Sequence, residues 1–411
     1  MTKPTLESFA SCVEAFQKFL PQDASPTRSL GFMDAIGATL AQDLTATQDT
    51  PPFNNSAMDG YAFQYTPLAQ AKTQGEVTLK VVGIATAGHP FTRALAPFEA
   101  IRIMTGAPTP DGADTVVQIE KVRSTDTEVT FDFDAVKPQQ NVRLRGELFR
   151  QGDTLVKAGT RYTEGTATLA ASLGFNTLAF RTPPRVGVFA NGDELVEPQN
   201  GTDLPEGKIF NSNGPLLTLL ARRFGADAKY LGILPDEPDA IKAKLKAVIN
   251  EVDIIVTSGG VGPGDKDFTS SILSELAQVE HHWMMARPGK SIVFGRFNEG
   301  RHPLFIGVAG NPVAAYIGCS IFVKRAIEAF LGAQSPRPLK TAKLKTRVKT
   351  RPGRRDHVLG TLETDQQGEL WFVPMGSQNS ASLMSIAQAS AVAIIPEDEE
   401  NPQPGMVVEL F

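Results

Sequence analysis

The spacing of apolar and polar positions changes character several times along the chain. Over residues 5–20, Leu6, Phe9, Val13, Phe16 and Leu20 recur at helical spacing and predict an amphipathic helix. Further helices are expected within 29–42 and within 164–174, around "EGTATLAASLG". Between about 51 and 149 the period shortens. "EVTLKVVGIATAG", "EAIRIMTG", "DTVVQIEKV" and "EVTFDFDAV" are short, β-branched and separated by Gly, Pro and Asp, which predicts a mostly β insertion.

From about residue 183 apolar strands alternate with helical segments. "RVGVFA", "AKYLGIL", "VDIIVTS" and "PLFIGVAG" read as strands. "GPLLTLLARRFG" (stopped by Gly225), "DEPDAIKAKLKAVIN", "TSSILSELAQ" and "PVAAYIGCSIFVKRAIEAFLG" read as helices. This alternation predicts a parallel, doubly wound sheet. "SPRPLK" (335–340) reads as a linker, and "KLKTRVKT", "HVLGTLE", "LWFVPM", "SAVAIIP" and "GMVVEL" as a small all-β tail.

Composition narrows the function classes. The chain has 411 residues, enough for several cores, and a net charge of −5 without long blocks of one sign. Nothing there favours nucleic acid or an anionic membrane. No apolar run is long enough to span a bilayer, and "MTKPTLESFASCVEAF" lacks the apolar core of a secretory signal, so a cytoplasmic protein is expected. The two cysteines, Cys12 and Cys319, give neither a disulfide framework nor a thiolate cluster.

The chemistry concentrates at strand ends. "NGDELVEP" (191–198), "SGGVGPGDKDF" (258–268) and "GVAGNPVAAY" (307–316) each follow a predicted strand. In open parallel sheets, ligands bind beyond the carboxyl ends of the strands. Glycines let main-chain N–H groups approach a ligand, and a helix start attracts an anion. The 258–264 loop is not a Walker A motif, because Asp265 stands where lysine is required, nor a dinucleotide fingerprint. Aspartates beside such a site make sense with magnesium between them, so Asp193, Glu194, Asp265 and Asp267 are candidates for magnesium ligation or acid–base work. Arg287 and Lys290 in "ARPGKS" are candidate anion partners. Read singly, Asp267 is equally an N-cap and Asp193-Glu194 equally a turn. His281 and His282 lack the HExxH spacing of a zinc site.

Taken together, "PPFNNSAMDGYAF", "RIMTGAPTPDGAD", "NVRLRGE", "NGDELV", "KIFNSN", "SGGVGPGDKDF", "RPGKS" and "AGNP" resemble, in order, the signatures of the molybdopterin molybdenumtransferase family, which includes bacterial MoeA and the C-terminal domain of gephyrin. The resemblance runs from about residue 4 to residue 411. It implies a multidomain fold: a discontinuous helical linking domain (1–50 and 150–182), a β insertion (51–149), a three-layer α/β ligand domain with a parallel-type sheet (183–334) and a C-terminal β-barrel (335–411). It implies a homodimer whose cleft lies between the α/β domain of one subunit and the β insertion of the other.

The function it implies is the last step of molybdenum cofactor synthesis: molybdate is inserted into adenylylated molybdopterin, a pterin nucleotide, with magnesium-dependent release of AMP. Other cofactor-synthesis proteins or molybdoenzymes are implied partners. By resemblance, Asp59, Thr105, Glu194, Asp236, Asp267 and Ser380 match functional positions of the family, and the amides of the 258–264 loop, Lys290 and Arg287 are expected to hold the anions. Asp59, Glu194, Asp236, Asp267 and Lys290 are thus the expected catalytic residues, and Thr105, Arg145, Ser258, Gly259, Gly260, Asp265, Arg287, Asn311, Pro312, Arg354 and Ser380 the expected cofactor-binding ones.

The chain departs from the family pattern at a few points. Asn191 replaces the usual Thr, Leu148 an acid, Gly262 a serine, and Leu359 a second arginine. One charged hydrogen bond is worth about 1.5–3 kcal/mol, so the losses at Leu148 and Leu359 open an alternative: a diverged paralogue that binds molybdopterin, or a protein partner, without turnover.

Overall fold

The structure is a computed structural model that describes residues 5–201, 203–260, 272–273, 275–333 and 339–411. Asp265 and Asp267 lie outside the described residues. The chain divides into two compact units: Met1–Gln42 with Ala158–Thr163 and Thr177–Phe411, and Asp43–Lys157 with Glu164–Asn176.

The first unit is built on a six-stranded sheet in the order Asp227–Leu234, Arg185–Asn191, Ile254–Ser258, Leu304–Val308, Ser291–Phe297, Ala277–Trp283. The first four strands are parallel, as their continuous apolar texture predicts. Two antiparallel strands extend the sheet. The second of these places His281 and His282 within a strand, where the sequence reading has them following a helix. Helical geometry persists only to Leu276.

Alternate residues of each strand face opposite layers. Val186, Val188, Ile254, Val256, Phe294 and Ile306 pack with Leu217, Leu220, Ile317 and Phe322 on one face. Phe189, Ile255, Val293 and Phe305 pack with Ile241 and Leu245 on the other. The helices Asn213–Arg223 and Pro312–Gly318 cover the first face, and Pro238–Val248 covers the second. The helix from Pro312 widens into a π-helical turn at Cys319–Val323 before resuming as Lys324–Phe330. The chain leaves Arg185–Asn191 toward one edge and returns to its other side, so a topological switch point lies between that strand and Ile254–Ser258.

Five strands of the tail close a barrel in the order Arg355–Thr364, Leu370–Pro374, Lys340–Leu344, Val407–Leu410, Ala391–Ile395 and back to the first. Ala286–Arg287 adds to its edge. The N-terminal helix is shorter than its apolar pattern, Phe9–Gln17, and its Ser8 hydroxyl caps Ser11 N–H. Phe16 meets Phe294 and Phe322 edge to face at 5.1 and 5.2 Å.

No helix forms within 29–42. Thr27–Gly31 pairs instead with Thr177–Arg181, and Gly37 takes a φ of +85°. Two glycines within seven residues weaken a helix, and Met33 and Ile36 face solvent, so the spacing there serves no core.

The second unit holds a six-stranded sheet in the order Thr115–Gln118, Gly60–Phe63, Glu99–Ile103, Glu76–Ala85, Glu128–Asp132, Arg123–Ser124, over a core that includes Phe63, Phe131 and Phe133. The helix Glu164–Ser172 forms where predicted. Burial pushes the Cys12 thiol up to about 12 and the Cys319 thiol higher still, so neither is poised as a nucleophile.

Phe294 touches the Phe16, Phe19, His282 and Phe322 rings and is fully buried. Phe294→Ala is expected to lower unfolding free energy by about 3–5 kcal/mol in a denaturant titration. A loss below about 1 kcal/mol is incompatible with this packing.

Candidate functional site

A cleft of about 960 Å³ opens beyond the carboxyl ends of the strands at the switch point. Its base is Asn191, Ser258 and Gly259; Gly310, Asn311 and Pro312 form one side, and Glu194 and Asp236 face it. Backbone constraints fix this base. Gly259 has φ +88° and donates its N–H to the Val308 carbonyl at 3.0 Å. A Cβ at Gly259 would stand 2.7 Å from the Asn191 carbonyl oxygen. A Cβ on Gly192 would stand 2.4 Å from the Glu194 carboxylate.

Two asparagines that the sequence reading did not single out organise the polar wall. Asn213 Nδ2 donates to Ser258 Oγ at 2.7 Å and to the Gly310 carbonyl at 2.6 Å, tying two strand ends together. Asn213 is 9% exposed, and its Oδ1 has no hydrogen-bond partner among the described residues. Asn211 Oδ1 accepts from Gly214 N–H at 3.0 Å, and its Nδ2 donates to the Tyr230 hydroxyl at 2.6 Å. That hydroxyl donates to Glu197 at 2.6 Å, and burial, reinforced by Glu197, pushes it well above the ordinary tyrosine range. The "KIFNSN" stretch carried this signal: two asparagines before a helix are candidate caps or ligand contacts.

The acidic rim is also tied by main chain. Asp193 Oδ1 accepts from Asp236 N–H at 3.1 Å, and Asp236 Oδ2 accepts from Asp193 N–H at 3.4 Å. Lys208 Nζ donates to the Asp193 carbonyl at 2.5 Å. The helix start at Pro312 has few donors to spare. Pro312 has no N–H, Val313 N–H goes to the Ser380 carbonyl at 2.9 Å and Ala315 N–H to the Asn311 carbonyl at 2.8 Å. Ser380 thus reaches the cleft's edge through its backbone, beside the lining residue Ala381.

The cationic candidates stand elsewhere in this unit. Arg287 pairs with buried Asp356 at 2.8 Å on the barrel edge, and burial raises that carboxyl above its ordinary range despite the guanidinium. Arg354 lies nearby and adds positive charge toward Asp356. Lys290 Nζ lies over the Trp283 ring, 4.9 Å from its centroid. None of the three lines the cleft.

The second unit carries the remaining candidates. Asp59 Oδ1 accepts from Thr105 Oγ1 at 2.6 Å and from Thr105 N–H at 2.7 Å. These bonds, the hydroxyl's first, hold the exposed Asp59 carboxyl below its usual range. Arg145 Nε donates to Asp49 at 2.6 Å, and its main-chain N–H donates to Asn54 at 2.8 Å.

Comparison with known proteins covers nearly the whole chain. Residues 8–174 match the MoeA N-terminal region (domain I and II), 187–329 a probable molybdopterin binding domain and 341–411 the MoeA C-terminal region (domain IV). The molybdopterin molybdenumtransferase of Bacillus subtilis (strain 168) is 33% identical over 396 residues, 95% of this chain and 90% of its own. The chain belongs to the molybdopterin molybdenumtransferase family. It is an enzyme of molybdenum cofactor biosynthesis. The similarly named protein of Nostoc sp. (strain PCC 7120) is 35% identical over 376 residues, 89% of this chain and 84% of its own. The molybdopterin biosynthesis MoeA protein of Pyrococcus horikoshii OT3 superposes with a TM-score of 0.85 at 25% identity, covering 99% of each chain. Among the described residues, no helix is long and apolar enough to cross a membrane.

Two outcomes follow for this member of the family. Gly259→Ala forces a side chain into a left-handed conformation against the Asn191 carbonyl and is expected to lower stability by about 1–3 kcal/mol in a denaturant titration. Thr105→Val removes the hydroxyl bond to Asp59, so the Asp59 carboxyl should titrate closer to its ordinary value in a carboxyl-carbon NMR titration. Because the folded value is depressed, the Thr105–Asp59 contribution is present above the unfolded pKa and lost as pH falls through the folded one. The stability gap between the two proteins should therefore close in acid; a gap independent of pH contradicts the assignment.

Proposed function

We propose that the chain inserts molybdenum from molybdate into adenylylated molybdopterin and releases AMP, with magnesium. The observation that carries this reading is the switch-point cleft, whose volume of about 960 Å³ suits a pterin nucleotide and whose walls combine carboxylates, asparagines and a glycine-shaped base. The Asn213 Oδ1 is a free acceptor for a ligand N–H, the type of donor a pterin ring or an adenine carries.

The donor set fits a hard cation. Glu194 faces the cleft, the Asp193 and Asp236 carboxylates are oriented by each other's N–H, and every candidate atom is an oxygen. Asp193 and Glu194 would hold magnesium, with Asp265 and Asp267 as further ligands on the sequence pattern. When bound there, the ion supplies charge neutralisation to the phosphates.

The protein's own part is positioning. Ser258, locked by Asn213, and the Gly259–Gly260 turn set the floor against which the nucleotide rests. A water oxygen attacks the pterin-side phosphorus, the phosphoanhydride P–O bond breaks and AMP leaves with the bonding electrons; the two dithiolene sulfurs bond to molybdenum as one molybdate oxygen departs as water with the two thiol protons, without change of oxidation state. A carboxylate of the Glu194–Asp236 rim accepts the nucleophile's proton. Asp59, Thr105, Arg145, Arg287, Lys290, Arg354 and Ser380 are assigned to the same reaction on the family resemblance. A cytoplasmic homodimer belongs to this reading, and light scattering of the purified chain checks the dimer.

The decisive measurement is AMP release from adenylylated molybdopterin with molybdate and magnesium. Glu194→Gln and Asp59→Asn are each expected to slow it by at least about 100-fold while leaving the circular dichroism spectrum unchanged. Absence of AMP release from the unmodified chain would end the proposal.

A further inference from the structure

Glu7, Cys12 and His282 are distant in sequence, yet their ligating atoms all lie within 4.8 Å of one another. Each is held by its own element. Glu7 bridges the end of the outer strand: its N–H donates to the Trp283 carbonyl at 2.9 Å, and its carbonyl accepts from Met285 N–H at 2.8 Å. Cys12 lies one turn into the N-terminal helix and is 0% exposed. His282 belongs to the strand Ala277–Trp283, and its ring stacks on Phe294 at 4.4 Å with an interplanar angle of 13°. The imidazole therefore has a fixed orientation.

Its two nitrogens both face carboxylates. Nε2 lies 2.9 Å from Glu280 Oε2, and Nδ1 lies 2.5 Å from Glu7 Oε1. A neutral imidazole has one N–H. Donation from Nε2 to Glu280 leaves Nδ1 as a lone pair directed at another acceptor, and that contact requires a cation between them. A proton bridges the 2.5 Å separation as it stands, whereas a metal ion with bonds of about 2.0–2.1 Å parts the two atoms to about 3.3 Å. Only a metal ion also uses the third donor, the Cys12 sulfur.

We propose that Glu7, Cys12 and His282 Nδ1 bind one borderline-soft divalent cation of the zinc class. The nitrogen, oxygen and sulfur donors suit such an ion, and three protein ligands leave its fourth position for water. Binding releases the Cys12 proton to solvent, and the resulting thiolate, the half-buried Glu7 carboxylate and the neutral imidazole balance the ion's charge. Glu280 accepts the outer N–H of the ligating histidine, the arrangement that fixes ring tautomer at metal sites. None of these residues lines the cleft, so the ion ties the N-terminal helix to the outer strand and takes no part in the reaction there. The spacing of sequence motifs gives no sign of it because the ligands come from separate elements.

The test uses the full chain, stripped with a chelator and titrated with Co²⁺, which shows a thiolate charge-transfer band in the near ultraviolet. The expected result is a band that saturates at a single cobalt per chain, is displaced by Zn²⁺ and survives excess Mg²⁺. Cys12→Ser, close to isosteric, should abolish it, and Cys319→Ser should retain it. Glu280→Gln should weaken cobalt binding by about 10–100-fold. Absence of the band in the unmodified chain, or its persistence in folded Cys12→Ser, would overturn the proposal and leave a histidine hydrogen-bonded between two carboxylates.

Discussion

The cleft depends on the close main-chain approach of three strand ends at a glycine. Gly259 is the point of closest approach. Its N–H binds the Val308 carbonyl on one side, and the Asn191 carbonyl occupies the space of a Cβ on the other. A Cβ on Gly310 would stand 3.6 Å from the Gly259 Cα. Any larger residue at Gly259 separates the strands just where the parallel sheet changes direction, and the floor of the pocket widens with them. Behind this turn lies the sheet, where Ile254, Ile255 and Val256 are buried between two helical layers.

A hydrogen-bonded lattice carries that constraint outward. Asn213 spans Ser258 and Gly310, so the first residue of a helix fixes the relative position of two strands. Asn211 passes the same rigidity to Tyr230 and Glu197, on the edge strand and the neighbouring turn. A Cβ on Gly214 would meet the Tyr230 ring at 2.4 Å, so the helix lies against the edge strand as closely as a glycine permits. The described wall of the cleft is thus cross-linked by hydrogen bonds that need no ligand, an arrangement that lowers the ordering cost when a nucleotide enters.

Much of this was legible in the sequence, for identifiable reasons. Strands buried on both faces are continuous apolar runs, and glycines mark their ends, so the sheet and the switch-point loops stood out. Where local pattern and tertiary pairing compete, the pattern was insufficient. Residues 29–42 have apolar spacing but two glycines and a strand partner at Thr177–Arg181. Ser291–Phe297 and Ala277–Trp283 carry Arg296, Glu280 and two histidines, which hide their strand character. At the site, glycines and acids announce themselves, whereas asparagine does not. Asn213 matters through the two strand ends it joins, a relation visible only in three dimensions. The helix start at Asn311-Pro312 had the look of an anion cradle, yet the Ser380 carbonyl already takes the Val313 N–H.

The two departures from the family pattern can be weighed by where they sit. Leu359 is 1% exposed and belongs to the apolar cluster shared by sheet and barrel, while its main chain exchanges hydrogen bonds with Gln378 at 3.3 and 3.0 Å. A charge at that spot would need burial with a partner, and a well-packed leucine is often the more stable choice. Leu148 is the opposite case, 69% exposed, with its N–H donating to the Thr50 carbonyl at 3.0 Å. An acid so exposed contributes little to the fold, about 0–1 kcal/mol even when paired. Neither replacement strands a buried charge, and neither residue lines the cleft. The 1.5–3 kcal/mol attached to a lost charged hydrogen bond therefore does not transfer to the fold or to the cleft walls. Among the described residues the cleft itself keeps two carboxylates, Glu194 and Asp236, and the asparagines Asn191, Asn211, Asn213 and Asn311.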